Sequence, residues 1–127
     1  MQTILVIDDT QDNFDLVADA LEDDYRLVHA PGGPEGLAQA RTAMPDLILL
    51  DMGLPQMSGW EVVQRLKSDA ALAGIPVIAL TAHAMKGDRT RCLEAGCDDY
   101  MAKPINIREL AELVERHLTG VPSPALR

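Results

Sequence analysis

Aliphatic runs of strand length alternate along this chain with stretches whose apolar residues recur at helical spacing. The runs at 3–7 (TILVI), 25–30 (YRLVHA), 46–50 (DLILL), 76–80 (PVIAL) and 99–103 (DYMAK) predict strands. Three of them lack polar alternation, as strands buried on both faces do. Between them lie five predicted helices. In the first, Phe14, Val17, Ala18 and Leu21 recur at i, i+3, i+4 and i+7. The second covers roughly 34–43, with Pro34 suited to the first helical position. The third opens on Ser58-Gly-Trp-Glu61, a capping box in which serine and glutamate each satisfy a free backbone donor. The fourth covers roughly 85–95 and is closed by Gly96. The fifth opens at Asn106 and sets Ile107, Leu110, Val114 and Leu118 on one face.

Strict alternation of this kind predicts an α/β fold. Five βα units form a doubly wound parallel sheet, with helices on both faces and right-handed crossovers. At 127 residues the chain suits a single domain over 1–120, followed by a short flexible tail at 121–127. The net charge of −9 and the pI near 4.6 disfavour binding to a nucleic-acid backbone. Cys92 and Cys97 are too few and wrongly spaced for a metal knuckle, and are read as thiols of a reducing compartment. The N-terminus has no signal-peptide pattern, and no stretch is long and apolar enough to span a membrane. A cytoplasmic protein is expected.

In open α/β sheets ligands bind beyond the carboxyl ends of the strands. The first strand ends in Asp8-Asp9, the third in Asp51, the fourth in Thr81 and the fifth in Lys103. The second ends in Ala30 with nothing reactive beside it. Strand 2 therefore belongs at an edge, which the flavodoxin-like order 2-1-3-4-5 satisfies. Three carboxylates converging on one sheet edge repel each other unless a cation intervenes. A hard divalent ion with oxygen ligands, Mg²⁺, meets that need and pairs naturally with phosphate oxygens. Lys103 adds positive charge, and Thr81 can donate to an incoming oxygen. Asp51 is the candidate nucleophile for a phosphoryl group. Gly53 is expected to let the backbone pass close to the metal.

The motifs IDD (7–9), Asn13 within DDTQDN, LLDMGLPQMSGWE (49–61), LTAHA (80–84) and EAGCDDYMAKP (94–104) resemble, in this order, the response-regulator receiver domain of two-component signalling, here of the stand-alone type. The resemblance implies that Asp51 accepts phosphate from a phosphohistidine, on a histidine kinase or a histidine phosphotransfer protein. It implies that Asp9 and Asp51 ligate Mg²⁺, that Asp8 assists through water, and that the carbonyl of Gly53 is a further ligand. Lys103 would meet the phosphoryl oxygens, Thr81 would act as the switch, and Tyr100 would be its aromatic partner. Ala82 would leave the phosphoryl group accessible, and the Lys103–Pro104 bond would be cis. Helix 4, strand 5 and helix 5, with Lys86, Arg89, Arg91 and Tyr100, would form the face that controls a protein effector, relays phosphate or dimerises. Gly53 and His83 stand at positions that flank the attacking water in receivers and bear on the lifetime of the phosphorylated form.

Blander readings accompany each assignment. Asp8-Asp9 is also a helix-cap signal, Tyr100 a core tyrosine, Trp60 a packing residue, and the basic residues of helix 4 a solvated face. None of His29, His83 and His117 is read as a metal ligand. Two other functions compete with a signalling switch that catalyses only its own phosphorylation and dephosphorylation. A Mg²⁺-dependent phosphohydrolase would want an acid where Gly53 stands. A flavin or nucleotide module would want a glycine-rich first turn, where this chain has DDTQDN.

Overall fold

The structure, a computed structural model, describes residues 1–82 and 88–119. The elements run β1 (Thr3–Ile7), α1 (Gln11–Leu21), β2 (Arg26–Ala30), α2 (Gly33–Ala43), β3 (Leu47–Asp51), α3 (Gly59–Ser68), β4 (Val77–Thr81), α4 (Asp88–Ala95), β5 (Asp99–Ala102) and α5 (Ile107–Thr119). The strands form one parallel sheet in the order β2-β1-β3-β4-β5. The predicted architecture and strand order both hold.

Strand alternation divides the core in two. Leu5, Ile7, Ile48, Leu50, Val77 and Ala79 pack against Leu37 and Ala40 of α2, Val62, Val63 and Leu66 of α3, and Cys92 of α4. Ile4, Val6, Leu47, Leu49, Ile78, Leu80 and Met101 face the other way, onto Val17 and Leu21 of α1 and Leu110 and Val114 of α5. The central strands β3 and β4 are buried at every position, as uninterrupted aliphatic runs should be.

Several expectations need correction. β3 and β4 start one residue later than predicted and include Asp51 and Thr81 as their last residues. Asp46 stays outside β3, where its side chain accepts the N–H of Thr3 at 2.7 Å. Pro76 has no N–H to give a ladder. At α3 only half of the capping box forms. Ser58 Oγ accepts the N–H of Glu61 at 3.3 Å, but the Glu61 carboxylate turns to Arg65, at 3.0 Å and 3.1 Å. Ile107, in the first turn of α5, is 40% exposed and so lies beyond the buried stripe. The predicted start of helix 4 at 85, together with His83, Lys86 and the tail after 119, lies outside the described residues.

Candidate functional site

The alternation that sorts the core also builds the site. Asp8 follows Ile4 and Val6 on the α1/α5 face, Asp51 follows Leu47 and Leu49, and Lys103 follows Met101. The ladder bonds continue past the strand ends, with Asp8 N–H to Ala30 O at 3.0 Å, Met52 N–H to Leu80 O at 2.9 Å and Lys103 N–H to Thr81 O at 2.7 Å. The three side chains are therefore carried to one side of one sheet edge on rigid backbone.

They meet there. Carboxylate oxygens of Asp8, Asp9 and Asp51 all lie within 4.8 Å of one another. Lys103 Nζ stands 3.1 Å from Asp51 Oδ1 and 3.8 Å from Asp8 Oδ2. Asp8 is fully buried and Asp51 is 4% exposed, whereas Asp9 faces solvent. Burying two like charges is costly unless cations and donors surround them. The donors are present. Asp8 Oδ1 accepts from the Thr10 N–H at 2.9 Å and the Thr10 hydroxyl at 3.0 Å, and Asp8 Oδ2 accepts from Asn13 Nδ2 at 3.2 Å. Asp51 Oδ1 accepts the N–H of Gly53 at 2.9 Å.

Thr81 is buried at the end of β4, one strand away from Asp51, and exposed Ala82 follows it. Tyr100 is half-buried against the α2/α3/α4 core. With Met101, Leu113 and Arg116 it also lines a cavity of about 320 Å³ between β5 and α5. It does not belong to the acidic cluster. Lys103–Pro104 is cis, as the resemblance implied. The Arg91 guanidinium lies over the Trp60 ring of α3, 4.1 Å from the centroid. His117 pairs with Asp99 at 2.9 Å, away from the acidic edge.

Three residues near the site were not recognised from sequence. Thr10, not Asp8 or Asp9, caps α1 by accepting the N–H of Asn13, and the same side chain binds Asp8. Its signal was a threonine placed directly before the helical period. His29 Nε2 lies 2.9 Å from the Asp8 carbonyl, and its ring stacks on Phe14 at 4.4 Å, so a side chain of β2 braces the end of β1. Gly59 is required by close packing beside the site. A Cβ on Gly59 would come within 2.5 Å of Met52 Cα and 2.8 Å of the Asp51 carbonyl oxygen. One on Gly53 would meet only Asp51 Oδ1, at an ordinary 3.5 Å. Close backbone approach is thus needed where α3 starts, not in the turn after Asp51.

The donor set fits a hard divalent cation: three carboxylates from two loops, within reach of one ion, one of them open to solvent. Comparison with known proteins agrees in character. The model of the response regulator receiver domain matches residues 4–115. The polar-differentiation response regulator DivK of Brucella ovis is 41% identical over 118 residues, covering 92% of this chain and 96% of the relative. A CheY-like receiver domain protein from Methanospirillum hungatei superposes with a TM-score of 0.85 at 30% identity, covering 94% of this chain and 95% of its own. The receiver domain of a sensor histidine kinase from Pseudomonas aeruginosa, solved with a magnesium ion coordinated in its active-site cleft, gives 0.84 at 33% identity, covering 93% and 98%.

Proposed function

The chain belongs to the response-regulator receiver domains, and from that premise we propose that it is a phosphorylatable signalling switch with Asp51 as the phosphoacceptor. The observation that carries this reading is the convergence of three carboxylates with Lys103 at one strand-end edge. Among the described residues, the Gly53 N–H and Lys103 both meet Asp51 on Oδ1, which favours Oδ2 as the oxygen that attacks phosphorus. The Oδ2–P bond forms as the N–P bond of a phosphohistidine breaks, and the departing imidazole nitrogen takes its proton from solvent. Lys103, already 3.1 Å from Asp51, places positive charge beside the transferring oxygens. The Thr81 hydroxyl, at the end of the adjacent strand, donates to one of them. Asp8, Asp9 and Asp51, with the Gly53 carbonyl, are the groups that would hold Mg²⁺. Bound there, the ion neutralises charge on the phosphoryl group.

The phosphoryl group adds roughly −1.5 to −2 charges by analogy with other phosphorylated side chains. That charge draws Thr81 and Lys103 towards it and biases the position of Tyr100, so that α4, β5 and α5 present a different face to an effector. The phosphodonor is a histidine kinase or a histidine phosphotransfer protein. The DivK relative, matched over 96% of its length, supports a switch that acts through partners.

The test is incubation with acetyl phosphate and Mg²⁺, followed by intact mass. The expected result is one added phosphoryl group, absent without Mg²⁺ and absent in Asp51→Asn. Steady turnover of small phosphate esters would point to a phosphohydrolase, a reading that Gly53 in place of an acid does not favour.

A further inference from the structure

The C-terminal turn of α4 carries chemistry that the acidic site does not use. Gly96 has φ +114° and donates its N–H to Leu93 O at 3.1 Å, while the N–H of Cys97 reaches back to Cys92 O at 3.0 Å. These nested bonds form a Schellman close, which presses the side chain that begins the outer bond against the one that ends it. Aliphatic residues usually make that contact. Here both residues are cysteines.

Both are buried, at 1% and 5% exposure, both lie in the same core cluster, and neither is in a disulfide. Burial, reinforced by the neighbouring Cys92 thiol, pushes the Cys97 thiol up to about 12. The 3.0 Å bond from Cys97 N–H to Cys92 O holds the two backbones side by side across one turn, and a disulfide requires an α-carbon spacing of roughly 4.4–6.8 Å.

We propose that Cys92 and Cys97 are a redox pair that closes to an intramolecular disulfide and staples the last turn of α4 to the chain entering β5. The oxidant is a low-molecular-weight disulfide. Cys97, the more exposed of the two, loses its proton and attacks that disulfide, expelling one thiolate. Cys92 then loses its proton and attacks the mixed disulfide at Cys97, expelling the second thiolate. The two protons released neutralise the two thiolates, and two electrons pass from the protein to the small disulfide. While the turn is closed both sulfurs are shielded, so the small disulfide reaches them slowly. Opening the end of α4 exposes it. The oxidised form holds fixed the helix whose Arg91 lies over Trp60.

The test equilibrates the full chain in buffers of oxidised and reduced dithiothreitol, with and without urea, then quenches in acid and counts thiols by maleimide mass. The expected product is a monomer lighter by two hydrogens, with neither thiol alkylated. Because the fold already holds the sulfurs together, the folded chain should close at least about tenfold more favourably than the urea-unfolded chain, which is roughly 30 mV for a two-electron couple. Cys92→Ala and Cys97→Ala should each abolish the product. Equal or weaker closure in the folded chain, or closure only between molecules, overturns the proposal. The readout is independent of phosphorylation and stands or falls apart from the switch reading.

Discussion

Aspartates sit at both edges of the sheet, but they are deployed in opposite ways. At the amino-terminal edge they are dispersed. Asp46 accepts the N–H of Thr3, Asp98 accepts Val77 N–H and Lys67, and Asp99 accepts Tyr100 N–H and pairs with His117. Each has its own partners. At the carboxyl edge Asp8, Asp9 and Asp51 crowd together and Lys103 answers two of them. The two lysines differ in the same way. Lys67 Nζ spreads its donors over the carbonyls of Ala73 and Ile75 and over Asp98, at 3.1–3.2 Å, tying a loop to the sheet. Lys103 faces carboxylates, two of them almost wholly buried. Dispersed acids close backbone valences, whereas converged acids repel one another until a cation answers them. Residue type alone does not separate the two cases; placement does.

The largest effect should come from the converged edge. Lys103→Met leaves the carboxylates of Asp8 and Asp51 without their ammonium. Stability in EDTA should fall by about 2–3 kcal/mol, read as a shift of the urea midpoint at unchanged slope, and phosphorylation from acetyl phosphate should slow at the same time. Next comes the backbone that supports the site. Gly59→Ala should cost about 1–3 kcal/mol, because its methyl meets Met52 backbone, and should also lower the phosphorylation rate by displacing the chain after Asp51. Gly53→Ala, closer to Asp51 in sequence, should stay within about 0.5 kcal/mol. At the dispersed edge the effect should fall on stability alone. Lys67→Met should cost about 1–2 kcal/mol and leave phosphorylation unchanged, since its partners are loop carbonyls and a partly exposed Asp98. A Lys67→Met protein that lost phosphorylation, or a Lys103→Met protein that kept both properties, would erase the distinction between the edges.

The fold was legible because its signals are local. Aliphatic runs named the strands, and the polar residues ending them named the edge where the carboxylates and Lys103 meet. Asp8, Asp51, Thr81 and Lys103 could be grouped because strand order and alternation are properties of the pattern. What escaped the sequence depends on tertiary approach. Nothing local marks Gly59 over Gly53 as the glycine that must lack a side chain, since the obstacle is Met52 in the turn after β3, brought against the start of α3 by the fold. Nothing local brings His29 against the Asp8 carbonyl, because the contact crosses from β2 to the end of β1. Glu61 left its capping role for Arg65 because both partners were available and the ion pair at i+4 prevailed.

The two halves of the core also differ in when they can be completed. The side lined by Leu5, Ile7, Ile48 and Leu50 receives most of its cover from α2 and α3, within the first 68 residues. The side lined by Ile4, Val6, Leu47 and Leu49 has α1 from the start but waits for α5, whose anchors are Leu110 and Val114. A chain emerging from the ribosome therefore carries a half-roofed aliphatic surface until nearly all of it has been made. Chaperones would find their target there, and polypeptides stopped short of α5 would clump there.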